Sequence, residues 1–191
     1  MNNVDTVVRR LKESAFLKEK MLPSADLVVK AADAVVKAFR THHQVLLFGN
    51  GGSAADAQHI SAELAGKFAK DRDPLPALAL TTNTSSITAI ANDYDFDDVF
   101  ARLVKAYARE GDVVIGISTS GTSENVIRGL KVAKETGAFT IAMCGQSGEL
   151  KDMVNLTLAV PSKDTPRIQE VHITLGHIIC ELVEAELFGG K

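Results

Sequence analysis

His59 and Glu63 stand four residues apart in the run 54–68, whose apolar spacing predicts a helix, so both side chains fall on one face. An imidazole and a carboxylate placed together can hold a divalent ion or exchange a proton with a carbon acid. Just upstream lies Gly49-Asn50-Gly51-Gly52-Ser53, between the apolar run 44–48 and that helix. A glycine-rich turn from strand to helix brings bare N–H groups to an anion at the helix N-terminus. Taken singly, a tight turn accounts for the glycine loop equally well, and a surface ion pair is the better account of His59 and Glu63. A second loop carries Ser118, Thr119, Ser120, Thr122 and Ser123 around Gly121. A helix cap needs one such hydroxyl. Five at the end of an apolar strand fit a neutral phosphate cradle, and no Walker-type GK[ST] is present. A third group, Gln169, Glu170, His172 and His177, falls on the last helix. His177 stands among Ile173, Leu175, Ile178 and Ile179, a setting in which histidine is usually a core or interface residue. Gln169 lies eight positions earlier, about 12 Å along a helix, so the two side chains share one atom only by leaning together. Asn92 and Asp93 could orient hydroxyls or simply form a turn.

Those residues need a frame, and the hydrophobic pattern supplies one. Runs 44–48, 76–80, 112–117, 139–143 and 155–160 read as strands, the third nearly all apolar and hence central. Runs 54–68, 86–91, 96–108, 124–135 and 165–187 read as helices, the last opened by Thr165 and Pro166, and a turn is expected at 145–148. The alternation predicts an α/β fold: a three-layer sandwich with a five-stranded parallel sheet. Ligands in such sheets sit at the carboxyl ends of the strands, where loops 50–53, 81–85 and 118–123 fall. Two further amphipathic helices, 4–21 and 25–40, precede the alternating part, with Pro23 between them and Ser24 as a candidate N-cap. Their apolar stripes need a cover, which predicts a homo-oligomer.

The chain has 191 residues, 46% hydrophobic and 24% charged, with net charge −3. One domain with a sizeable core is expected, numbered 1–191, with about 1–41 as an oligomerisation extension. No long basic run points to nucleic acid, and no stretch approaches a membrane span or a secretory signal. Cys144 and Cys180 fall in strand-like and helix-like runs and read as buried thiols of a cytoplasmic protein. His42 and His43 flank the first strand, in solvent.

Residues 49–64, 80–104, 116–126 and 165–184 together resemble the phosphoheptose isomerases, sugar isomerase (SIS) domain proteins, over nearly the whole chain. The resemblance implies conversion of sedoheptulose 7-phosphate into D-glycero-D-manno-heptose 7-phosphate, in supply of surface-glycan heptose such as that of lipopolysaccharide. It implies a metal, usually zinc, on His59, Glu63, Gln169 and His177, and Glu63 with His177 as the acid/base pair. Asn50, Gly51, Gly52, Ser53, Asn92, Asp93, Ser118, Thr119, Ser120, Ser123 and Gln169 would bind substrate alongside Glu63. The family is tetrameric, with sites between subunits. Asp95 and Thr122 depart from its common residues. Some SIS relatives are non-catalytic adaptors, including one associated with a replication initiator; the presence of both Glu63 and His177 favours an enzyme. A phosphosugar sensor would need a DNA-binding domain, for which the N-terminal helices are too short and too little basic.

Overall fold

The computed structural model describes residues 2–189 except Ser147. Met1, Ser147, Gly190 and Lys191 lie outside the described residues, and with them the ends of the expected 1–191 domain and one residue of the expected 145–148 turn. In chain order the elements are α1 (Asn3–Glu19), α2 (Ala25–Arg40), β1 (Val45–Gly49), α3 (Gly52–Ala65), β2 (Ala77–Ala79), α4 (Thr84–Asp93), α5 (Val99–Tyr107), β3 (Val113–Ser118), α6 (Glu124–Glu135), β4 (Phe139–Cys144), β5 (Leu156–Ala159) and α7 (Thr165–Phe188). All strand pairs are parallel, in the order β2-β1-β3-β4-β5.

Alternation along the strands builds two cores. Val45, Leu47, Ile115, Ile117, Ile141 and Met143 face α2, α3 and α7. Leu46, Phe48, Val114, Ala142 and Cys144 face α5 and α6. Strands buried on both faces must read as continuous apolar runs, which is why the sequence exposed them so plainly. The order reverses between β1 and β3, whose carboxyl ends meet as Gly49 opposite Ile117. A crevice opens there, because β1 connects onward to one side of the sheet and β3 to the other.

Several local expectations shift. Ser24 makes no side-chain cap bond, because it already lies in a 3-10 turn, Leu22–Ser24, that carries α1 into α2 as one bent arm. Asp164, not Thr165, occupies the N-cap position of α7, although Pro166 sits in the first turn as expected. The run 96–108 divides: the Asp95 side chain accepts from Asp97 N, and the 3-10 turn Phe96–Asp98 precedes α5. The short 86–91 helix is longer, since the Asn83 side chain accepts from Ser86 N and starts α4 at Thr84. Below β3, buried Asp112 accepts from Gln44 N, Gln44 Nε2 and Arg109 N. His43 is therefore not free in solvent: its Nδ1 lies 3.5 Å from Asp112, while His42 is exposed.

Candidate active site

Helices α3 and α7 lie side by side and run in parallel. A Cβ on Gly52 would meet the Gln169 side chain, and one on Gly176 would meet Ile60. The absence of a side chain at Gly176 is what lets the two helices approach this closely. Matched rises along parallel helices bring His59 level with His177. Their Nε2 atoms are 2.8 Å apart and the rings meet edge to face. Both nitrogens cannot carry protons at that distance, so one of them accepts. Glu63 lies one turn beyond, its Oε1 3.4 Å from His59 Nε2. One donor atom from each of these three residues lies within 4.8 Å of the others. Two ligand atoms on a tetrahedral zinc with bonds near 2.0–2.1 Å stand about 3.3 Å apart, close to the 2.8 and 3.4 Å spacings that His59 Nε2 makes with His177 and Glu63.

Gln169 stands apart from the three. Its amide packs on Gly52, at the opening of α3, whereas His177 is eight residues further along α7. Parallel helices preserve that offset of about 12 Å instead of closing it.

The glycine turn and the hydroxyl loop are joined across the crevice. Gly51 has φ +54 and ψ −121, a conformation that side-chain-bearing residues rarely adopt, and it turns the chain into α3. The Asn50 side chain donates to Asn125 Oδ1 at 2.8 Å and accepts from Asn125 Nδ2 at 3.0 Å. Asn125 is buried in the first turn of α6 and was not singled out from the sequence, where it reads as an ordinary helix residue. In the 118–123 loop the hydroxyls face one another: Ser118 Oγ lies 2.9 Å from Ser123 Oγ and 3.4 Å from Ser120 Oγ. Ser123 sits at the N-cap of α6 yet makes no side-chain cap bond. Its hydroxyl is directed into the loop, as a cradle requires and a simple cap does not. Thr119 is half-buried at the same strand end, and Ser53 is buried in the first turn of α3.

Asn92 and Asp93 close α4, exposed, with Asn92 Nδ2 donating to Asp93 Oδ1 at 2.8 Å. Among the described residues they make no hydrogen bond to the other candidates. Asp56, also missed, lies between Gly52 and His59 on the stripe that carries Glu63. One of its oxygens is buried without a partner, and burial pushes its carboxyl up to about 6, with His59 pulling the other way.

Residues 12–145 match the SIS domain family. A phosphoheptose isomerase of Aquifex aeolicus is 54% identical over 95% of this chain and 96% of its own length. The chain belongs to the phosphoheptose isomerase family. A second phosphoheptose isomerase, from Clostridium acetobutylicum, is 50% identical over 95% of each chain. The solved phosphoheptose isomerase of Neisseria gonorrhoeae superposes with a TM-score of 0.89 at 41% identity, covering 95% of this chain and 99% of that one. That of Francisella tularensis gives 0.92 at 34% identity, covering 96% and 98%. Fold and family therefore agree with the sequence reading, down to the five-stranded parallel sheet.

Proposed function

We propose that this chain is an aldose–ketose isomerase interconverting sedoheptulose 7-phosphate and D-glycero-D-manno-heptose 7-phosphate. The observation that carries the reading is the convergence of His59, Glu63 and His177 from two helices beside a phosphate-suited crevice, in a chain of the phosphoheptose isomerase family. The phosphate lies in the cradle of Ser118, Thr119, Ser120 and Ser123, with Asn50, Gly51, Gly52, Ser53 and Gln169 along the sugar and Asn92 with Asp93 on its hydroxyls. Gly52 and His59 are about 10 Å apart along α3, a spacing that suits a long sugar held by its far end. Glu63 takes the proton from one of C1 and C2 and returns it to the other through an enediol. His177 serves the oxygens as the second acid/base. Glu63 offers two oxygens and His177 two ring nitrogens, so holding an ion and moving a proton need not fall to the same atom. Zinc is the cofactor we favour, held by His59, Glu63 and His177, whereas the Gln169 side chain of the family pattern is kept at Gly52; when bound the ion would supply polarisation of the carbonyl.

We further propose that the whole chain is one cytoplasmic domain serving heptose supply for a surface glycan, and a homotetramer assembled through residues 1–41. Cys144 and Cys180 are buried and unbonded, which suits a reducing compartment, and no described helix is long and apolar enough to cross a membrane. A non-catalytic adaptor would have no use for the three converging side chains.

Incubation of the purified chain with sedoheptulose 7-phosphate, followed by product NMR, tests the reaction. The aldose should appear, and a chelator should reduce its rate. Glu63→Gln should lower turnover by about 10²–10⁴-fold with the fold retained. Near-normal turnover in that variant would remove Glu63 from the chemistry.

A further inference from the structure

Beyond the crevice, a buried cation ties the two helices that carry the candidate acid/base pair. The Arg72 side chain is 1% exposed and that of Glu184 is 4% exposed, with Nε donating to Oε2 at 3.0 Å. Arg72 uses its other nitrogens on the end of α3. Nη2 donates to Glu63 O at 2.9 Å, and Nη1 donates to Leu64 O at 2.9 Å and to Gly66 O at 3.2 Å. These are carbonyls that a helix leaves without partners, at the pole where a positive charge is favoured. Glu184 lies on α7 seven residues after His177, two turns along the same face. Its carboxylate also accepts from Phe68 N, Ala69 N and Lys70 N, at 3.3, 3.1 and 2.8 Å. That holds the 66–73 segment over α7 and sets the Phe68 ring 5.9 Å from the His177 ring. One guanidinium thus fastens the backbone of Glu63, and one carboxylate fastens the strap that walls His177.

We propose that Arg72 and Glu184 are positioning residues that set the separation of Glu63 from His177 and, with it, the metal affinity of the triad. The arrangement exceeds what stability alone calls for, since buried pairs are often replaceable by apolar residues without loss. Here the guanidinium reaches the carbonyl of Glu63 itself, together with those of Leu64 and Gly66 that follow it. The inference rests on the roles given to Glu63 and His177 above.

The test uses Arg72→Lys, which keeps the charge but loses the fork, and Glu184→Gln, which keeps an acceptor but loses the charge. In folded protein we expect zinc affinity, read by competition with a chromophoric chelator, to weaken about 10–100-fold. Turnover should fall in step, whereas KM should move by less than about twofold, because the phosphate cradle lies at the far end of α3. Leu103→Ala, on the opposite face of the sheet, serves as a control that lowers Tm while keeping zinc affinity and kcat. Full zinc affinity and kcat in both variants, with only Tm reduced, would overturn the inference. If neither variant folds, wild-type hydrogen exchange decides. Reciprocal coupling requires that added zinc slow exchange at the amides of residues 68–70, and unchanged exchange would sink the proposal. Normal turnover in Glu63→Gln would instead discredit the isomerase roles, leaving zinc affinity to judge Arg72 and Glu184.

Discussion

His172 shows how a single residue of α7 can read as a site and be something else. It is fully buried one turn after Gln169, with Nε2 3.3 Å from Cys144 O and Nδ1 unpartnered. Burial pushes its imidazole down to about 4, with the Cys144 carbonyl working weakly against that. The folded chain then stays unprotonated while the unfolded chain gains a proton below about 6.5, so stability is full above that pH and is lost as pH falls toward 4, by up to about 3 kcal/mol. Asp56, raised to about 6, acts in the opposite sense between 3.8 and 6, because there the folded state holds the extra proton. Urea unfolding of His172→Gln at a series of pH values should show a smaller loss between pH 7 and 5 than wild type does. Equal slopes would mean that His172 is not held neutral. A histidine on an apolar helix face is ambiguous in sequence: His172 and His177 differ only in which neighbour the helix packs them against.

At the scale of elements, the glycine turn before α3 combines two different constraints. Gly51 has no atom within 4 Å of a built Cβ, so its constraint is backbone conformation alone. Gly52 is restricted by contact, its Cβ position falling against Gln169 Nε2. Gly51→Ala should cost about 1–3 kcal/mol in urea unfolding. Gly52→Ala should cost less stability but raise KM for the sugar phosphate, because Gln169 must move aside. If the two variants behave alike, the Gln169 contact is unimportant for binding. The β1 and β3 loops stood out from composition as candidate ligand loops. That Asn50 would be tied to Asn125 was not, since the pairing spans 75 residues and depends on β1 lying next to β3.

The whole molecule leaves an apolar surface that one chain does not cover. Val4, Val7, Leu11 and Leu22 are 63%, 58%, 66% and 72% exposed, and an open groove lined by Met21, Leu22, Val28, Leu175 and Ile178 runs between the bent arm and α7. Large exposed apolar area of this kind suits burial between copies. Sedimentation of the wild-type chain should give a tetramer, and Leu11→Glu should shift it to smaller species. A monomeric wild type would refute the assembly proposed above.

The order of strands and helices, the two-faced burial of the sheet and the three clusters of candidate residues followed from sequence alone, because apolar periodicity and loop chemistry are local properties. Only the tertiary structure decided which clusters meet. His59 reaches His177 across 118 positions because α3 and α7 pack in parallel at Gly176, and the same parallel packing holds Gln169 at Gly52 instead. Arg72 and Glu184 carried no signal in the chain at all, since a buried charge is recognisable only once its partner is brought within reach.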